Sequence, residues 1–306
     1  MAGTAATSAP VPDTRAPGWP APGTLAALWR YSRRNPSLSV GVALLLGLVL
    51  FSVIGAFAYG VSKAQPLSVV PAQPPSAAYP FGTDTQGRDL LAAMIAGTPL
   101  TATIGVTAGL VGVLIGTVLA FVAAYYRGIV DTLIKGFVDI GMTIPGLLVL
   151  IIIAIAVQGN LSLAQMALVV ACLAWLQPTR VIRSQVLTLR ARAYVEVARL
   201  SGMSGPAIIV KEMMPNLLPY LGAQLVSAAA AATLASIGLE ALGLGPLESP
   251  TLGMTLYWVI SNNGLMLGLW WWFMPPVMII VILFLGLFNL SVGLDEIANP
   301  RLRRSA

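Results

Sequence analysis

The sequence predicts an all-α integral membrane protein: six transmembrane helices, with a helix-turn-helix elbow on the cytoplasmic side. Three observations lead there. Of the 306 residues only 9% are charged and 57% are hydrophobic, and mean hydropathy is +0.85, whereas a soluble domain carries about 25% charged residues. Six apolar runs, at 38–59, 99–125, 136–157, 161–176, 217–239 and 275–294, approach the roughly 20 residues that cross a bilayer core. With the N-terminus inside, 15 of the 17 Lys and Arg residues fall in inner segments. Lys63 and Arg88 alone fall outside, and such a bias sets orientation with both ends cytoplasmic.

Residues 1–24 are rich in Ala, Pro, Thr and Gly and have no apolar core behind a basic start. They read as a disordered cytoplasmic tail rather than a signal peptide. Residues 25–37 form a basic, amphipathic approach to the membrane, "LAALWRYSRR" and its continuation, which fixes topology. The outer loop at 60–98 is Pro-rich and then turns into "FGTDTQGRD". Gly82 and Gly87 suit turns, and Asp84 or Thr85 is a candidate cap. Asp89 sits favourably before a short helix over 90–96. In the second span Gly105, Gly109, Gly112 and Gly116 permit close helix approach. Asp139 lies shortly before Pro145, which is expected to kink the third span. Two readings stay open there, a path-lining bend and a kink that only fits packing. Cys172 reads as a small buried hydrophobe. The second outer loop covers 240–274; residues 264–274 are expected to lie at the interface or re-enter it, with Trp270, Trp271 and Trp272 at the headgroups.

Several functions are excluded. The chain has no His and one Cys, so triads, the usual zinc sites and an internal disulfide are absent. The topology accounts for the +6 charge, so no nucleic-acid partner is required. No charged residue lies between Asp139 and Arg180, between Glu212 and Glu240, or between Glu248 and Asp295. Ion-coupled carriers depend on such groups midway through their spans. No phosphate-binding loop of the G-x-x-x-x-G-K-[ST] type is present. A carrier with neither relay nor nucleotide site is expected to be a conduit driven by a partner, with membrane lipid around it.

The inner segment 177–215 is too long for a bare connection. Residues 188–200 have helical periodicity, with Leu189, Ala193, Val197 and Leu200 on one face. "SGMSGP" then breaks the helix, with Gly202 as a left-handed cap and Ser204 as the next N-cap. A second short helix over 207–214 is expected to stop at Pro215 and Pro219. The product is a short elbow.

This stretch resembles the EAA motif of importer-type ABC permeases: E-A-A, Gly four positions on, and Pro thirteen after that. Glu196, Ala198, Gly202 and Pro215 match, with Met203 beside the Gly, while Val197 replaces the first Ala and Glu212 stands where a hydrophobic residue or His is common. Over roughly 29–303 the chain is most similar to the dipeptide/oligopeptide/nickel permease family, in the second of its two permease subunits. Four further stretches carry this. They are Gly82, Asp84, Gly87, Arg88 and Asp89 in the outer loop; "DIGMTIPGLL" from Asp139; "LGLG" from Leu242 with Pro250 and Gly253; and the terminal "NPRLR". A Glu common in the family nine positions before the last Gly of LGLG is Ser236 here, and Glu240 appears instead.

The resemblance implies the type I ABC importer permease fold and a non-catalytic subunit in a prokaryotic cytoplasmic membrane. It implies a second homologous permease subunit, ATP-binding cassette ATPase subunits that hold ATP and Mg, and an extracytoplasmic substrate-binding protein. Peptides are the first expected cargo, with oligosaccharides and nickel chelates as alternatives. An autonomous secondary carrier or channel is the alternative of another class.

Overall fold

The computed structural model describes residues 35–157 and 160–298. The tail expected over 1–24, residues 25–34 of the juxtamembrane segment and the terminal "NPRLR" lie outside these residues.

The chain forms α1 (Pro36–Ala58), α2 (Leu90–Tyr126), α3 (Gly128–Thr143), α4 (Gly146–Ala156), α5 (Leu163–Ala174) and α6 (Leu176–Arg190). It continues as α7 (Ala193–Leu200), α8 (Gly205–Ile208), a π turn at Ile209–Met213, α9 (Met214–Ala241), α10 (Leu252–Ser261) and α11 (Trp270–Ala298). By length and composition α1, α2, Gly205–Ala241 and α11 suffice to cross a membrane. The pairs α3/α4 and α5/α6 are bent by 88° and 45°. Each pair counted as one span gives the six of an all-α integral membrane fold.

α2 is the spine. A Cβ on Gly109 would lie 2.6 Å from the Ala229 amide nitrogen, and one on Gly112 would lie 2.6 Å from the Ala174 carbonyl oxygen. Gly105 likewise abuts Thr233, and Gly116 abuts Pro178 and Thr179. One pair of glycines therefore seats α9, and the other seats the α5–α6 joint. Around them, Ile104, Ala108, Leu150, Met166, Val170 and Leu239 close one apolar core. Val113, Phe121, Ile182, Val186, Met213 and Leu217 close a second. α1 lies along α11, where Gly41, Gly286 and Gly293 admit the partner helix.

Several boundaries differ from those expected. The second span and the short helix before it are one helix, with Pro99 inside it. Pro145 does not kink a helix: Ile144 is extended, Pro145 is the N-cap of α4, and the chain turns nearly at right angles. The helix expected over 188–200 is two, because α6 runs to Arg190 and a turn at Ala191–Arg192 precedes α7. Pro215 and Pro219 do not end the helix beyond the elbow. Pro215 falls in the first turn of α9, where a missing N–H costs least. Neighbouring helices make such prolines tolerable inside spans. Cys172 is exposed, because α5 turns that face away from α2. Residues 264–268 are turns, while Trp270 opens α11. Trp272 is fully buried against Leu90, Val259 and Leu269, so the aromatic run packs inward as well as outward.

Gly109→Leu is expected to force α2 and α9 apart and to destabilise the chain by about 1–3 kcal/mol. The reading is a drop in the thermal unfolding midpoint in detergent. Gly47→Ala, with nothing within 4 Å of a Cβ at that position, is expected to leave the midpoint unchanged or slightly raised.

Candidate functional site

The residues singled out gather at the two ends of α2. At its N-terminal end the segment Gly82–Asp89 makes a closed turn, with an antiparallel bridge between Thr83 and Asp89. Asp84 supports the turn: its Oδ1 accepts from the backbone N–H of Gln86 at 2.9 Å and of Arg88 at 2.8 Å. Gly87 has φ +72, and a Cβ there would lie 2.6 Å from the Val69 carbonyl oxygen. Gly82 also has a left-handed φ and is pressed by Trp271, whose indole N–H donates to the Thr83 carbonyl at 3.4 Å.

Asp89, rather than Asp84 or Thr85, caps α2. Its Oδ1 accepts from the N–H of Leu91 at 2.9 Å and Ala92 at 3.2 Å, and its Oδ2 accepts from the Tyr59 hydroxyl at 2.6 Å. Arg88 is buried with its guanidinium 5.8 Å from the Trp258 ring centre. Burial pushes the Asp84 carboxyl above the usual carboxylate range, against the pull of its backbone hydrogen bonds and the Arg88 charge. Burial lowers the Arg88 guanidinium in turn. This end is thus a packed, polar-cored cap.

Glu240 belongs to the same end. It is fully buried, and its Oε2 accepts from the Thr251 hydroxyl at 2.7 Å. Gly245 and Gly253 leave the room it occupies, since a Cβ on Gly245 would lie 2.6 Å from its Cγ and one on Gly253 would collide with its Oε2. The LGLG glycine and Gly253 therefore wrap a carboxylate placed before α10. Ser236 is buried, and its hydroxyl donates to the Thr233 carbonyl at 2.9 Å.

At the other end lies the elbow. Met203 N–H donates to the Ala198 carbonyl and Gly202 N–H to the Arg199 carbonyl, both at 3.1 Å. With Gly202 at φ +79, these are the paired bonds of a glycine-ended helix. Ala198 and Val195 are buried, and Met203 packs against their cluster with Ile208 and Met213. Ser204 occupies the next N-cap without a side-chain cap bond. Glu196 is exposed, and Val197 and Leu200 project at 61% and 81% exposure. The motif residues split into a buried set that holds the elbow and an exposed set that stands free. Pro215 follows directly, exposed at the start of α9.

Asp139 and Pro145 do not act as a unit. Asp139 lies beside Arg183, whose guanidinium makes a two-point pair with Asp131 at 2.5 and 2.6 Å. Pro145 instead aims α4, and Gly146, Leu147 and Leu150 line a cleft of about 490 Å³ with Leu173, Ala231 and Ala235. Gln177 is the polar side chain of that wall, and Asp139 is not part of it. Sequence reasoning missed this cleft. Its signal was the run of small residues Ala228–Ala232, which reads simply as span. Among the described residues no three His, Cys, Asp or Glu side chains gather as a metal site.

Residues 112–304 match the family described as "Binding-protein-dependent transport system inner membrane component". The chain is 30% identical over 279 residues to the dipeptide transport system permease protein of Bacillus subtilis, covering 90% of this chain and 85% of that protein. It is 32% identical over 272 residues to a putative peptide transport system permease protein of Brucella abortus, covering 88% and 90%. It is 28% identical over 173 residues to the oligopeptide transport system permease protein of Mycobacterium bovis, covering 56% and 60%.

Asp89→Ala removes a cap worth about 1 kcal/mol and leaves the Tyr59 hydroxyl only its longer bond to the Ala78 carbonyl, at 3.2 Å. Added protease is expected to cut the 65–80 loop faster than in the unaltered chain. Asp89→Asn, which keeps an acceptor for the two N–H groups, is expected to fall between.

Proposed function

The chain belongs to the binding-protein-dependent transport system inner membrane components and is an ABC importer permease subunit of the dipeptide/oligopeptide/nickel type; we propose that it carries small peptides inward by coupling a partner's ATP hydrolysis to helix motion. It is a multi-pass membrane protein, and in this reading it lies in the cytoplasmic membrane with both ends inside. A second, homologous permease completes the path. ATP-binding cassette subunits hold ATP and Mg beneath it, and an extracytoplasmic binding protein delivers cargo to the outer loops. The chain itself catalyses nothing and binds no cofactor.

The observation that carries this reading is the split character of the elbow. Val195, Ala198 and Met203 tie it into the bundle, while Glu196, Val197 and Leu200 stand free on its outer face. A firmly rooted helix with exposed apolar side chains supports docking into a groove of a soluble subunit. Glu196, Ala198, Gly202, Met203 and Pro215 are the coupling residues. The apolar cleft behind Pro145 supports a path wall with no charge to select among peptides. Peptide cargo follows the names of the relatives; oligosaccharides and nickel chelates are the alternatives within the same machinery.

Purification of the tagged chain from its native cell in mild detergent is expected to bring down a phosphate-loop ATPase and a second six-span permease. A chain that repeatedly emerges alone and monodisperse would overturn the reading, and gradient-driven transport by that lone chain in liposomes would establish a secondary carrier instead.

Gly202→Pro tests the elbow. Proline cannot adopt φ +79 and loses the N–H given to Arg199. The expected result is an assembled complex that still hydrolyses ATP, with peptide uptake lowered roughly tenfold, about 1.4 kcal/mol of coupling. Uptake at the unaltered rate would remove the elbow from the mechanism.

A further inference from the structure

The elbow has a second connection to the bundle, apart from the chain that leads into α9. Arg190 ends α6, directly before the elbow. Its guanidinium donates to the carbonyl oxygens of Ala124 at 2.7 Å and Tyr125 at 3.0 Å, and lies 5.8 Å from the Tyr125 ring centre. Those carbonyls belong to the last turn of α2, where no partner exists within the helix, and a cation suits that end of the dipole. The Tyr125 hydroxyl in turn abuts Gly205 at the start of α8. The elbow is therefore clamped to α2 from both sides.

α2 is unbroken over 37 residues, about 55 Å at 1.5 Å per residue, against a hydrocarbon core of about 30 Å. Its far end is fixed just as firmly. Asp89 caps it and binds Tyr59. Asp89 N–H donates to the Lys63 carbonyl at 2.9 Å, and Leu90 N–H to the Gly82 carbonyl at 3.1 Å. The start of α10 is pinned to it as well, through Leu252 N–H to the Thr101 hydroxyl at 3.0 Å.

By contrast, the covalent route into α9 passes through the π turn at Ile209–Met213, a wider, less regular joint. The route through Arg190 reaches the end of α2 directly, by hydrogen bonds to its last carbonyls.

We propose that Arg190 is a positioning residue for transport: it makes displacement of the elbow arrive at the outer loop as movement of α2 along its own axis. This rests on the importer reading above. α2 then works as a rod, with the elbow at one end and the Gly82–Asp89 turn at the other. α9, bedded against Gly105 and Gly109, is carried with it. One guanidinium nitrogen, Nη1, donates to two successive carbonyls while the planar group lies near the Tyr125 ring, so direction is fixed as well as distance. A lysine keeps the charge but puts a flexible ammonium in place of the planar group held near the Tyr125 ring.

The test uses the complex purified with the tagged chain, in the Cys172→Ser background. An environment-sensitive fluorophore is attached to a single cysteine introduced as Ser76→Cys in the exposed outer loop. The signal is its change on adding ATP with vanadate, per assembled complex, with thermal stability recorded alongside. Arg190→Gln is expected to reduce the change by roughly fivefold, the low end of coupling between distant sites. An assembled Arg190→Gln complex with the full change would overturn the proposal. Should that variant not assemble, Arg190→Lys decides: an intermediate change supports the clamp, and a full change overturns it. Absence of any ATPase from the unaltered complex sinks the importer reading itself. An active ATPase with no signal at Ser76→Cys leaves that reading standing and overturns the rod.

Discussion

Close backbone approach along α2 is the constraint on which the arrangement depends. Lipid supplies no hydrophobic drive for helix association, so packing contacts must hold the bundle. Gly109 lets Ala229 reach the α2 backbone, and Gly112 lets the Ala174 carbonyl do so. The second contact falls at the joint where α5 gives way to α6 with a 45° bend. Two elements that would otherwise compete for one face of α2 are thereby given separate seats. Because α5, α6 and α9 are each set by that helix, the cleft that they and α4 enclose is set by it too. The cleft is lined by Ala231 and Ala235 of α9 and by Leu173 at the end of α5.

Asp84, Asp89 and Glu240, buried carboxylates away from the basic end, share a role that is structural rather than chemical. Asp84 accepts from the backbone of its own turn, and Asp89 from the first N–H groups of α2. Glu240 accepts from Thr251, the N-cap of α10. Asp84 and Asp89 sit where unpaired N–H groups converge, which is where a buried negative group is tolerated, whereas Glu240 is held through one oxygen and its Oε1 has no partner among the described residues. The Gly82–Asp89 turn and the start of α10 are therefore held against the bundle, with Arg88 buried beside the half-buried Trp258.

Six apolar runs and a charge asymmetry were readable without coordinates, because lipid demands long apolar helices. The glycines of α2, the Gly202 break and the position of Asp89 were readable for the same kind of reason: each answers a local geometric demand. Helix ends were not. Of Pro99, Pro145, Pro215 and Pro219, only Pro145 bounds a helix. A proline ends a helix when nothing else satisfies the freed carbonyl, and that depends on neighbours the sequence does not place. The turn at Ala191–Arg192 was hidden for a related reason. Arg190 looks like one more inner charge until the end of α2 comes within its reach. The cleft also escaped notice, since its wall is made of the residues that build any span.

The elbow explains which departures from the EAA pattern it can absorb. Val197 stands in place of the first Ala, yet its side chain is 61% exposed, so the added bulk meets no wall inside this chain. Ala198 is buried among Val195, Ile208 and Met213, where a larger side chain would lift α7 off the bundle. Gly202 has open space around a Cβ but a left-handed backbone, so its requirement is conformational and independent of packing. Glu212 lies in the π turn, where its carbonyl accepts from the Asn216 side chain at 2.7 Å. Of the positions that match the motif, Ala198 and Gly202 shape the elbow, while Glu196 stands on its exposed face. The positions that depart from the motif, Val197 above all, lie where side chains point away from the chain's own core. Variation there changes what the elbow presents to its surroundings without changing how it is held.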